Sequence, residues 1–150
     1  MSDPATVLHD ALLTELQREK VVLLHTIDAE SGLPTSNAIS WAHAMDARTI
    51  RFALDQRSRL VGNLQQNAVA TMTGFAEGSV HIISGKVNQV AESLEDVPFK
   101  LACFDLSVET VRDGMFYGAR ISAEPEYEKT YDQRAAEKLD HQVFTAMKKA

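Results

Sequence analysis

The spacing of apolar and polar side chains changes period several times along the chain, and each change marks an element. Ala5, Leu8, Leu12, Leu13 and Leu16 recur at helical spacing behind Asp3-Pro4, an N-cap residue followed by proline at the first helical position. An amphipathic helix is expected to about Arg18. Val21 to Asp28 is a β-branched and aliphatic run closed by a turn at Glu30-Ser31-Gly32. From Thr35 to His43, Asn37, Ile39, Trp41 and His43 alternate with Ser36, Ala38, Ser40 and Ala42. That period of two predicts a strand with one bulky face and one small or hydroxylated face. The small face leaves room for something flat, and it suits close packing against a neighbouring element equally well.

Asp46-Ala47-Arg48 turns the chain into a strand from Thr49 to Leu54, with Ile50, Phe52 and Leu54 on one face. Ser58 to Asn67 returns to helical spacing through Leu60, Val61 and Leu64, with Asn67 as its stop. Ala68 to Phe75 and Ser79 to Val90, joined by Ala76-Glu77-Gly78, read as a hairpin in which Gly85 marks a bulge or a close backbone approach. Leu94 to Arg112 mixes helical and broken character around Pro98. Met115 to Ser122 reads as a further strand, and Glu126 to Tyr131 as a candidate short one. A last helix carries the stripe Ala136, Leu139, Val143 and Met147. About six strands at hairpin spacing, with helices at both ends and two short ones inserted, describe an antiparallel barrel or sandwich and not an alternating βαβ fold.

At 150 residues, 45% apolar and 24% charged, residues 1–150 are expected to form one domain with a real core. No apolar run approaches the roughly 20 residues a membrane helix needs, and the N-terminus does not read as a secretory signal. Cys103 is the only cysteine, so no internal disulfide is expected, and the default location is the cytoplasm. The net charge of −6 argues against nucleic acid as the main partner. It leaves room for a small anion held by a local arginine at a helix start.

One ordered set of segments carries a family likeness. It runs Val21-Val22-Leu23-Leu24-His25-Thr26-Ile27-Asp28, Gly32-Leu33-Pro34-Thr35-Ser36-Asn37-Ala38-Ile39-Ser40, Ile50-Arg51-Phe52-Ala53-Leu54, Ser58-Arg59 and Leu64-Gln65-Gln66-Asn67-Ala68. The order of strand, Gly-x-Pro turn, two strands and a Ser-Arg-led helix resembles the FMN-binding split-barrel family, best known from pyridoxamine 5'-phosphate oxidases. The resemblance implies a mainly β (α+β) fold, a six-stranded antiparallel split barrel of FMN-binding type with flanking helices. It also implies a homodimer with the flavin at the interface. Asn37, Ala38, Ile39 and Ser40 would lie along the ring and ribityl chain, with Ala53 and Leu54 beside them. Ser58 and Arg59 would take the phosphate. A dianion there wants a hydroxyl, a guanidinium and free helix N-terminal amides, although Ser58 could equally cap only its own helix. Asp55, whose charge would repel phosphate, is expected to turn outward or bind Arg57. Asn37, Ala42 and Leu60 stand where vitamin-B6 oxidases carry basic residues. The chain also ends in a helix where those enzymes carry an Arg/His-bearing segment, so the likeness does not extend to that substrate.

Other constellations are weaker. His25, His43 and His81 fall on strands, and His9 and His141 on helices, but no pair has metal-site spacing, so no metal is expected. Cys103, among Leu101, Ala102 and Phe104, reads as a core hydrophobe. Trp41, Phe52 and Tyr117 suit either a flavin pocket or a core. No side-chain catalytic set is visible. A flavin-dependent oxidoreductase of unknown substrate is the leading expectation, with a non-catalytic flavin or haem binding or stress-response module as its rival.

Overall fold

The two edge strands of the sheet are consecutive in the chain, and that single fact closes the structure into a barrel. In this computed structural model, which describes residues 4–150, the strands are β1 (Val22–Ile27), β2 (Pro34–Ile39), β3 (Ala42–Asp46), β4 (Thr49–Asp55), β5 (Val69–Ala76), β6 (Ser79–Ala91) and β7 (Leu101–Asp113). The helices are α1 (Asp10–Glu15), α2 (Arg59–Gln66) and α3 (Gln133–Lys149). The strand order is β2-β1-β5-β6-β7-β4-β3, with every neighbour antiparallel. Only Ser40 and Trp41 separate β2 from β3, so the strand read at Thr35–His43 exists but bends sharply. Its halves pair with opposite edges of the sheet. Counted as one bent strand, it makes a mainly β, six-stranded antiparallel split barrel with flanking helices.

Several expectations need correction. The sixth strand is Leu101–Asp113, not Met115–Ser122, and neither 115–122 nor 126–131 forms a strand. The alternation of Phe104, Leu106 and Val108 against Asp105, Ser107 and Glu109 was legible, but its start is buried on both faces. Ala102 and Phe104 face the barrel, while Leu101 and Cys103 lie under α3, so Leu101–Phe104 shows no polar positions. The N-terminal helix is also shorter than its stripe. Leu8, Leu12 and Leu16 are buried as expected, but Ala5 pairs with Val111, exchanging backbone bonds of 3.1 and 2.8 Å. The β4 ladder leaves β7 after Ser107, so the edge at Val111 is free and Ala5 satisfies it. Asp3 lies outside the described residues.

Other local features match the residues that predict them. Glu77 (φ 55°) and Gly78 (φ 72°) make a two-residue hairpin turn whose left-handed backbone suits the twist of its strands. At Gly85 the β6–β7 register shifts, and a Cβ there would lie 1.8 Å from the Ser107 carbonyl oxygen. Close backbone approach is the reason for that glycine.

Two apolar cores result. The barrel interior is built on Leu24, Ile50, Phe52, Met72, Ile83, Phe104 and Leu106, with Phe52 and Phe104 stacked at 5.6 Å. α3 lays Val143, Ala146 and Met147 over Ala53, Leu101 and Cys103 on the outer face of β4 and β7. Arg51 grips Asp105 with two bonds of 2.7 and 3.0 Å and donates to the Met147 and Ala150 carbonyls, which pins the end of α3. Among the described residues, no helix is long and apolar enough to cross a membrane.

Candidate functional site

α2 begins where β4 leaves the sheet, and its first turn faces the end of β1 across an open depression. Ser58 is the N-cap in extended conformation, and its Oγ accepts from the Leu60 N–H at 3.2 Å. Leu60, Val61 and Leu64 anchor the helix in the barrel core. Asn63 lies on the same buried side. Its amide donates to Thr26 Oγ1 at 3.1 Å and its carbonyl accepts from the Ala29 N–H at 2.9 Å. That pair of bonds locks α2 to the exit of β1. Asn63 opens the Asn-Leu-x-x-Asn run that forms part of the family likeness, but its role as a lock shows only in these two bonds.

The depression has a volume of about 830 Å³ and lies between α2 and the flared strand β2, with Asn37, Ser58, Arg59, Asp28 and Glu30 in its wall. Asp28 was not expected there. It accepts from the Ser31 N–H and hydroxyl, each at 2.8 Å, and from Arg59 Nη2 at 2.6 Å. The Ser31 donors foremost, with Arg59 added, hold its carboxyl below the usual range. Arg59 is 75% exposed while Asp28 is 13% exposed. The guanidinium is therefore free to swing, and Asp28 keeps two donors when it leaves. Asp55 binds Arg57, at 3.2 Å through the side chains, and stays out of the depression as expected.

The eight expected site residues divide into groups. Asn37, Ser58 and Arg59 line one depression. Ala38 is exposed on the opposite face of β2, across from Leu23. Ile39 packs partly against the barrel core, and Ser40 sits at the bend. Ala53 and Leu54 are 2% and 5% exposed, so their side chains belong to the two cores. A second depression, of about 490 Å³, lies on the outer sheet face beside Pro34, lined by His25, Ile27, Val69, Thr71 and Ser84. His25 shares a hydrogen bond with Thr73 Oγ1 at 2.8 Å, and Thr71 one with Ser84 at 2.8 Å.

The weaker constellations resolve into structure. His81 is buried and bonds the Ala76 carbonyl at 3.0 Å, and His43 meets the Phe144 ring edge-on at 6.4 Å. No group of three potential metal ligands exists among the described residues. Burial pushes the Cys103 thiol up to about 11, the reverse of what a nucleophile needs. Phe52 is core, Trp41 packs under α3, and Tyr117 stands fully in solvent.

The donors around α2 fit a phosphate monoester. Ser58 and the exposed Arg59 guanidinium line one concavity, while the Leu60 and Val61 N–H groups already donate to Ser58 Oγ and to the Ser58 carbonyl, at 3.2 and 3.1 Å. Asp28 and Glu30 weigh against it, and a phosphate would have to draw Arg59 from Asp28.

A sequence profile of the pyridoxamine 5'-phosphate oxidase family matches residues 8–113. The chain belongs to that family. Its fold is similar to a Lactobacillus delbrueckii protein provisionally designated a pyridoxamine 5'-phosphate oxidase. The two are 13% identical, with a TM-score of 0.61 over 72% of this chain and 95% of that one. It is also similar to HupZ of Group A Streptococcus (13% identity, TM-score 0.57, 74% and 96% covered). General Stress Protein 26 of Bacillus anthracis is a third such structure (10% identity, TM-score 0.54, 67% and 88% covered). At these identities the likeness is one of fold. No curated protein matches the sequence significantly.

Proposed function

We infer that the chain is a cytoplasmic, single-domain FMN-binding protein that works as a homodimeric flavin-dependent oxidoreductase. The observation that carries this reading is the meeting of Ser58, Arg59 and Asn37 on one depression of about 830 Å³ beside β2, in a member of this family. Ser58 would hold the phosphate, with Arg59 closing on it from solvent. Asn37 would donate to and accept from the ribityl and ring edge. Bound flavin supplies the hydride or electron transfer, and the protein's part is to orient the ring and keep water from it. The decisive experiment is titration with FMN and riboflavin, following flavin fluorescence, with the absorption spectrum of the purified protein recorded first. FMN binding clearly tighter than riboflavin binding supports the reading. Equal affinity, or none, removes the phosphate site.

One observation favours a non-catalytic flavin module, and offers a haem iron no ligand in this depression. The ionisable side chains lining the depression are Asp28, Glu30 and Arg59, with no His, Cys, Lys or Tyr to relay a proton near neutral pH. Turnover of a reduced nicotinamide or deazaflavin by the FMN-loaded protein decides for the enzyme. A Soret band on purification decides for haem.

A further inference from the structure

Each arginine at the start of α2 is held by a carboxylate of its own chain, Arg57 by Asp55 and Arg59 by Asp28. The two pairs differ in kind. Asp55 and Arg57 share one turn, where the carboxylate also accepts from the Arg57 N–H at 2.8 Å, and neither lines the depression. Asp28 and Arg59 join separate elements, the turn after β1 and the first turn of α2, and both stand in the wall of the depression. Arg59 is the one cation in that wall among the described residues. The backbone offers little beside it, because Ser58 N–H donates to the Asp55 carbonyl at 2.9 Å and the next two free N–H groups are taken by Ser58.

Asp28 is built both to hold Arg59 and to release it. Its two oxygens divide the work. Oδ1 accepts from Arg59 Nη2, whereas Oδ2 accepts from the Ser31 N–H and hydroxyl. When the guanidinium swings away, Oδ2 keeps both donors and the turn at Ser31 keeps the carboxylate in place. A phosphate that engages Arg59 must part this pair and then lie beside the charge left behind, with Glu30 adding charge of the same sign in the same wall. Asp28 therefore opposes the ligand twice, once through Arg59 and once directly.

We propose that Asp28 is an internal competitor for the flavin phosphate: it holds Arg59 until a phosphate ester displaces it, and so sets how tightly the depression takes such a ligand. This rests on the FMN reading above and adds the residue that limits it. Asp28 is then the affinity-determining group of the site, and Ser31 adjusts it by stabilising the carboxylate once it is released. The site is tuned toward a flavin that can leave, and loss of one charge makes it a tighter one.

Titration with FMN and with riboflavin, followed by flavin fluorescence, tests it in wild type, Asp28→Asn, Arg59→Ala and the double variant. The amide oxygen in Asp28→Asn can still accept from Ser31, and unchanged circular dichroism checks that the turn survives. Asp28→Asn should tighten FMN binding roughly ten-fold, because it removes both a pair that must be parted and a like charge beside the phosphate. Riboflavin carries no phosphate and should bind both proteins alike. In the Arg59→Ala background the same substitution should gain only about two-fold, since no pair remains to be parted. Unchanged or weaker FMN binding by Asp28→Asn, in a wild type that prefers FMN to riboflavin, overturns the competition and leaves the phosphate site standing, with Asp28 aiming Arg59 at it. An equal gain in both backgrounds also overturns it, because Asp28 then acts by its own charge and not by holding Arg59. If neither wild type nor Asp28→Asn prefers FMN to riboflavin, the phosphate site falls and the competition with it.

Discussion

Trp41 Nε1 donates to Asp140 Oδ1 at 2.8 Å, tying the bend that closes the barrel to the middle of the C-terminal helix. Asp140 is buried and takes a second partner, Lys129 Nζ, at 3.1 Å from Oδ2. Lys129 also reaches Glu19 at 3.3 Å, and Tyr127 donates to the same carboxylate at 2.7 Å. The segment between β7 and α3 is therefore held by charge over the Ser40–Trp41 bend, and Lys20 repeats the device with Glu124 at 2.6 Å.

Removing Asp140 strands the indole N–H and leaves Lys129 with Glu19 alone, so Asp140→Ala should cost about 2 kcal/mol. Trp41→Phe leaves Asp140 paired with Lys129, and for the hydrogen bond alone should cost about 1 kcal/mol. Urea unfolding measures both. If Asp140→Ala lies within experimental error of wild type, α3 does not hold the bend.

Arg59 offers a test in which stability and binding should part. Its ion pair with Asp28 is exposed on the arginine side, and Ser31 keeps Asp28 satisfied, so Arg59→Ala should unfold at nearly the wild-type urea concentration. A phosphate partner is worth about 2–5 kcal/mol when its charge is left alone. FMN binding should therefore weaken by roughly thirty-fold or more, with riboflavin binding little changed. Equal weakening of both flavins would assign Arg59 to the fold.

How much of this was legible in the residues follows from which faces were buried. β1, β4 and the β5–β6 hairpin declare themselves by alternation and turn chemistry, and Ser58 and Asn67 bracket α2 as cap and stop. β7 was missed because α3 covers Leu101 and Cys103, erasing the polar half of the pattern at its start. Met115–Ser122 misled because Phe116, Tyr117 and Ile121 resemble a strand, yet no neighbouring edge pairs with them. At the site, Ser58, Arg59 and Asn37 could be carried over by position. Asp28 could not, since its role comes from a turn that folds Ser31 back on it. Ala53 and Leu54 were expected beside the flavin; Leu54 lies in the barrel core with Ile50 and Phe52, as its strand alternation allows, whereas Ala53 is buried by α3, which no local pattern reveals.

Two glycines should respond in opposite directions. Gly85→Ala would drive a methyl to 1.8 Å from the Ser107 oxygen and 2.8 Å from its carbonyl carbon, both rigid ladder atoms. A loss of about 3 kcal/mol or more is expected. Gly62, inside α2, has nothing within 4 Å of where a Cβ would stand and no positive φ, so Gly62→Ala should stabilise by about 0.5–1 kcal/mol. Urea midpoints for the two variants check the contrast, and a neutral Gly85→Ala would mean that β6 and β7 shift apart freely.

Alkaline pH should expose the buried thiol. Burial holds Cys103 at about 11 against an ordinary 9.0, so between these values the unfolded chain ionises while the folded one does not. Protons are then released on unfolding, and stability falls as pH rises from 9 to 11, by up to about 2 kcal/mol from this group. Tyr127, raised by desolvation and by the Glu19 carboxylate, adds a loss of the same sign at higher pH. Cys103→Ala should start lower in stability because it leaves a cavity, yet show a flatter decline across that interval. Urea midpoints at pH 8, 9, 10 and 11 for both proteins give the comparison. Parallel curves would show that the thiol ionises as easily in the folded barrel as in the open chain.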